Sequence, residues 1–87
     1  MTTDVLRDTF GFTPTELRLA FALVSREGEV ITREDLLIEV WGIPERMAPR
    51  MKTRVVDMTI KRVRTKMDSY GTIKSVRGFG YRFKLEK

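Results

Sequence analysis

The stretch RVVDMTIKRVRTKMDSYGTIKSVRGFGYRF, Arg54 to Phe83, changes its period partway along. In its first half Val56, Ile60, Val63, Met67 and Tyr70 recur at intervals of four, three, four and three, one narrow apolar stripe on a helix predicted over about Lys52 to Ser69. At roughly 100° per residue, Arg54, Met58, Lys61, Arg62 and Thr65 fall on the opposite face, which is basic and free of acid. Asp57 and Arg64 share a flank, where Asp57 is placed to pair with Lys61 one turn on for about 0.3 kcal/mol. Tyr70-Gly71 ends this helix. The second half has the period of a hairpin: Ile73 to Arg77 reads as a strand, Gly78-Phe79-Gly80 as a tight turn using glycine's access to positive φ, and Tyr81 to Leu85 as the return strand. Tyr81, Phe83 and Leu85 alternate with Arg82 and Lys84, one apolar face and one basic. Ile73 and Val76 have the wrong parity for a shared face, so a bulge or bend is expected between them.

Upstream lie two more helices. TPTE makes Thr13 an N-cap, Pro14 the first helical residue and Glu16 the carboxylate that answers the cap, so a helix should run from about Pro14 to Ser25 and end by Gly28. Leu17, Ala20, Phe21 and Val24 form its main apolar stripe, with Leu19 and Leu23 on the opposite side. That second face needs cover, either from residues 1–12 or from a second subunit. Val30 and Ile31 suit one short strand. TRED, with Thr32 as cap and Asp35 three residues on, opens a helix from about Arg33 to Trp41 that buries Leu36, Leu37 and Val40 and stops near Gly42. Ile43 to Lys52 is a loop punctuated by Pro44 and Pro49, and it holds methionines and basic residues.

Composition narrows the chemistry. The 87 residues suffice for a single domain with one modest core. They contain no cysteine and no histidine, which leaves no thiolate or imidazole for a structural zinc, a disulfide or a histidine-based catalytic centre. No apolar run approaches the roughly 20 residues of a membrane span, and a cytoplasmic location is expected. The net charge of +5 is unevenly spread: residues 1–49 carry five Arg/Lys against nine Asp/Glu, a net of −4, and residues 50–87 carry twelve against three, a net of +9. A basic half on a compact domain is the footprint of phosphate-backbone binding, and the other reading of it is a solvated surface. A nuclease would need clustered carboxylates for a metal, and the basic half offers only Asp57, Asp68 and Glu86, spread apart. No glycine-rich phosphate loop precedes a helix. Neither an enzyme nor a bound cofactor is expected.

Trp41-Gly42, RVVDMTIKRVRTKM at Arg54 to Met67 and SVRGFGYRF at Ser75 to Phe83 resemble, in order, the effector-domain signature of OmpR/PhoB-type bacterial response regulators. TPTE before an apolar helix also resembles that family's first helix, and the likeness covers about residues 12–85. It implies an α+β winged helix-turn-helix: three helices over 13–70, a C-terminal β-hairpin wing over 72–85, and a segment 1–12 packing on the first helix, all in one domain spanning 1–87. It further implies sequence-specific binding of double-stranded DNA and transcription regulation in a bacterium or phage. Arg62 would read a base in the major groove, with Arg54, Lys61 and Arg64 on phosphates and Met58, Thr59 and Thr65 beside them. Arg77 would enter a minor groove, and Ser75 and Tyr81 would touch the backbone; Tyr81 is equally placed for the core. Trp41 would pack at its helix end and offer its indole N–H to a phosphate.

The chain also departs from that pattern. Thr59 stands where the family often has histidine and Met58 where it often has valine. Twelve residues before the first helix would hold neither a receiver domain nor the family's four-stranded sheet platform, so the platform is expected to be reduced or absent and the regulator to act without phosphorylation by its own receiver. The loop from Trp41 to Arg54 is longer than usual; Arg46, Met47, Arg50 and Met51 on it are candidates for contact with RNA polymerase or another partner, or simply loop. Leu19 and Leu23 are candidates for a subunit contact in a homodimer on repeated half-sites. A protein-binding winged helix that engages polymerase or antagonises a regulator is the alternative function. Phe79, at the wing tip, would pack on a neighbour, on sugar, or on nothing.

Overall fold

The cap predicted at Thr13 forms in full in the computed structural model, which describes residues 9–85: the Thr13 hydroxyl accepts from the Glu16 N–H at 3.3 Å and the Glu16 carboxylate accepts from the Thr13 N–H at 3.0 Å. Helix α1, Pro14–Val24, starts from this box. A short strand β1, Val30–Thr32, runs directly into helix α2, Arg33–Trp41, because the Thr32 hydroxyl caps the Asp35 N–H at 3.0 Å. Gly42 then takes the left-handed conformation and closes the helix. A single 3₁₀ turn, Ala48–Arg50, breaks up the following loop by burying Ala48. Helix α3, Arg54–Lys66, and the strands β2, Gly71–Val76, and β3, Gly80–Leu85, complete the order. Among the described residues no helix is long and apolar enough to cross a membrane.

The buried arcs of α2 (Leu36, Leu37, Val40) and α3 (Val56, Ile60, Val63, then Met67) are those predicted from periodicity. Helix α3 is shorter than expected at both ends, and Tyr70 lies in the turn after it, with its ring stacked 5.9 Å from Phe83 and tilted 5.7 Å from Phe10. Helix α1 is rotated relative to the sequence reading. Leu19, Ala20 and Leu23 are fully buried in one cluster with residues of α2 and α3, whereas Phe21 is exposed and Leu17 and Val24 sit on the flank. Leu19 and Leu23 are therefore core residues and present no face to a second subunit. Apolar side chains encircle most of α1, so its periodicity does not fix its buried side; packing against two helices at once does. Phe12 is buried and Phe10 packs on the core, while the rest of the predicted 1–12 segment and any sheet platform within residues 1–8 lie outside the described residues.

The sheet has the order β1-β3-β2, all antiparallel, and both registers are unbroken. The pairing runs from Gly71 opposite Leu85 to Val76 opposite Gly80, so the bulge expected between Ile73 and Val76 does not exist. Ile73 points to the core and Val76 to the outer face, and no shared face is required of them. The two wing glycines also differ in role. Gly78 has φ +82° and makes the turn; Gly80 has ordinary φ and is already strand, where a Cβ would come within 2.0 Å of the Ile31 carbonyl oxygen. Gly80 is required because β1 approaches the root of the wing closely.

Leu23→Ala should cost about 2–5 kcal/mol of stability in denaturant unfolding, as for a leucine truncated in a packed core. Phe21→Ser should stay within about 0.5 kcal/mol; equal small effects at both positions would contradict the rotation of α1.

Candidate nucleic-acid interface

The outward face of α3 is built from residues about one turn apart. Arg54, Met58, Lys61, Arg62, Thr65 and Lys66 border a shallow open groove along the helix, and no carboxylate lines it. Arg54, Lys61 and Arg62 are exposed and make no side-chain hydrogen bond or ion pair among the described residues, so their donors are unspent. Thr65 donates to the Lys61 carbonyl at 3.0 Å and keeps lone pairs for an outside donor. Arg62 also borders a second concavity, shared with Thr13, Thr15, Glu16, Trp41, Val55 and Thr59. Trp41 is half-buried against the core at this edge, and its indole N–H has no partner among the described residues.

Two of the predicted contacts are not available. Thr59 is only 4% exposed and donates to the Val55 carbonyl at 2.8 Å, so it closes the buried arc of α3 and does not face outward. On a wheel of roughly 100° per residue it stands about 40° from Val63, within reach of the same periodicity that found the core. Tyr81, open between backbone contact and core, takes the core: it is 4% exposed and its hydroxyl donates to Asp57. Arg64 is partly committed, donating from Nε to the Ile73 carbonyl at 3.0 Å and tying α3 to the edge of β2. Val55 was not singled out by the sequence reading, yet it is exposed beside Met58, an apolar strip among cations.

Asp57 is the one acid on α3, and its pairing differs from expectation. It bonds Arg33 of α2, whose Nε donates at 2.8 Å, and Tyr81 of β3, instead of Lys61. Arg33 also reaches the Tyr81 hydroxyl at 3.4 Å and lies 4.8 Å from the centre of that ring. Burial pushes the Asp57 carboxyl upward, but the hydrogen bonds from Tyr81 and Arg33 outweigh it and hold the group below its ordinary value. The same cluster raises the Tyr81 phenol, through burial first and the neighbouring carboxylate second. A residue separation of 24 joins Arg33 to Asp57, beyond what local spacing can show. The consequence is electrostatic: the half-exposed carboxylate is matched by the Arg33 guanidinium, and Lys61 makes no ion pair among the described residues.

The wing carries Ser75 and Arg77 exposed, Arg77 without a partner among the described residues, and Phe79 at its tip is 66% exposed. Lys74, opposite Arg82 on the outer sheet face, adds a cation the sequence reading passed over. In the loop before α3, Arg46, Met47, Arg50 and Met51 are all exposed around buried Ala48. At the far end of α3, Lys66 donates to Glu16 at 2.6 Å and to the Gly11 carbonyl at 3.2 Å. Burial opposes ionisation of Glu16, yet the bonds from Lys66 and the Thr13 cap lower its pKa overall.

The family model described as transcriptional regulatory protein, C terminal, matches residues 7–83. The chain is 43% identical over 74 residues to the transcriptional regulatory protein CseB of Streptomyces coelicolor, covering 85% of this chain and 30% of CseB. It thus spans about a third of the length of that relative. Among solved structures, the DNA-binding domain of Bacillus subtilis CssR superposes with a TM-score of 0.72 at 32% identity, covering 85% of this chain and 78% of that one. The Klebsiella pneumoniae RstA DNA-binding domain, solved in complex with the RstA box, gives a TM-score of 0.69 at 28% identity, covering 84% and 72% respectively.

Glu16 and Asp57 both have folded-state pKa values below their unfolded ones, so their stabilisation is complete above the ordinary values of 4.5 and 3.8 and is lost as pH falls through the lower folded-state values. Thermal melts between about pH 6 and 2 should therefore show a steep acid limb that Glu16→Gln flattens, at a cost in stability near neutrality; an unchanged limb would contradict the pairing with Lys66.

Proposed function

The chain belongs to the family of C-terminal domains of transcriptional regulatory proteins, the OmpR/PhoB-type effector domains, and we propose that it binds double-stranded DNA sequence-specifically to regulate transcription. One observation carries the reading: the outer face of α3 presents Arg54, Lys61 and Arg62 with no partner among the described residues, while the only acid of that helix is paired with Arg33. A helix of this width fits the major groove, and three unspent cations on it meet phosphates and base edges without an opposing charge.

In this reading Arg62, near the middle of the exposed face, donates paired hydrogen bonds to guanine O6 and N7. Arg54, Lys61 and the free nitrogens of Arg64 neutralise phosphates, with Trp41 and Ser75 at the margins. Met58 and Val55 supply the apolar surface that suits a thymine methyl group. The wing, rooted beside α3 through Tyr81 and Asp57, carries Arg77 to the adjacent minor groove. The exposed loop of Arg46, Met47, Arg50 and Met51 leaves a separate surface for RNA polymerase, and two copies would occupy repeated half-sites.

Selection from a random DNA library should return a motif, and Arg62→Ala should relax discrimination at one base pair by about 1–3 kcal/mol. Lys61→Ala should weaken all sequences alike and lower the salt slope by about one. Recovery of no motif would overturn sequence-specific binding.

A further inference from the structure

Phe79 is the most exposed large apolar side chain among the described residues, at 66%, and nothing in the domain explains it. The tip that carries it is held firmly. The Phe79 N–H donates to the Val76 carbonyl at 2.9 Å, Gly78 makes the turn, and Gly80 is clamped under the Ile31 carbonyl so closely that no Cβ would fit. A flexible tip could fold its ring back onto the sheet; this one holds it outward. Two residues away stands Arg77, exposed and unpaired among the described residues. A cation and a ring two residues apart on one projecting turn match a groove whose walls are sugar and phosphate and whose floor is base edges.

We propose that Phe79 is a DNA contact in its own right, its ring lying against deoxyribose in the minor groove that Arg77 enters. This rests on the DNA-binding reading above and extends it to a contact with a distinct signature. Arginine binding to phosphate releases counterions and weakens with salt, whereas a ring on sugar buries apolar area and releases none. The two neighbours on the wing therefore contribute to affinity through separable terms.

The test uses the full chain and a labelled duplex carrying a single copy of the site returned by selection, titrated at several salt concentrations. Phe79→Ala should bind about tenfold more weakly with the slope of log affinity against log salt unchanged, and Phe79→Tyr should stay within about twofold. Arg77→Ala should instead lower the slope by about one. Single-site binding by Phe79→Ala within twofold of the parent overturns the inference, also when that variant loses only cooperativity between two sites, since the ring would then meet a second copy. A change in slope, or loss of the native circular dichroism spectrum, overturns it as well. In each of these cases Arg62→Ala still relaxes base preference if the DNA-binding reading is sound; if neither the parent nor Arg62→Ala shows any preference, that reading has failed instead.

Discussion

One carboxylate holds the interface together. Asp57 projects from α3, accepts from Arg33 of α2 and from the Tyr81 hydroxyl of β3, and so fixes the helix, its supporting helix and the wing relative to one another. Three elements distant in sequence meet at one acid. Its charge would otherwise oppose any anion approaching α3, and it would otherwise attract Lys61 along the helix surface. Pairing with Arg33 offsets both effects, because the guanidinium supplies the compensating charge and lies over the Tyr81 ring. The positive field of the outer face follows from that arrangement as much as from the number of arginines.

A second ion pair braces the opposite end of α3. Glu16 sits 5% exposed in the first turn of α1, capped by Thr13 and met by Lys66 from the last turn of α3. A buried carboxylate is tolerated there because the Thr13 N–H and the Lys66 ammonium both donate to it. Lys66 is spent on structure, although it borders the same groove as the unpaired cations. Between the two braces α3 is held at both ends over a core of Leu19, Leu23, Leu36, Ile60 and Phe83, leaving its middle turns outward.

Most of the fold is legible in local spacing. Thr13 with Glu16 and Thr32 with Asp35 announce helix starts, the apolar intervals on α2 and α3 name the buried faces, and the alternation after Gly71 gives the hairpin. What escapes is what depends on residues far apart. The choice of Asp57 between Lys61 and Arg33 is decided by tertiary approach, and the pairing of β1 with β3 gives Gly80 a role that the turn alone does not suggest. The buried side of α1 escapes for a different reason: apolar residues occupy most of its circumference, so spacing alone does not name the covered side, and Leu19 and Leu23 look uncovered only until two helices close on them. The family pattern puts Thr59 outward and leaves Tyr81 open between backbone and core, and the core claims both.

The central claim is that Arg33 shields Asp57 so that α3 can face a polyanion. A double-mutant cycle of Arg33→Met and Asp57→Asn, read in DNA affinity at fixed salt, addresses it directly. The account predicts strong coupling: Arg33→Met alone weakens binding severely by exposing a bare carboxylate at the interface, and adding Asp57→Asn restores much of the loss. Independent, additive losses from the two changes would contradict it.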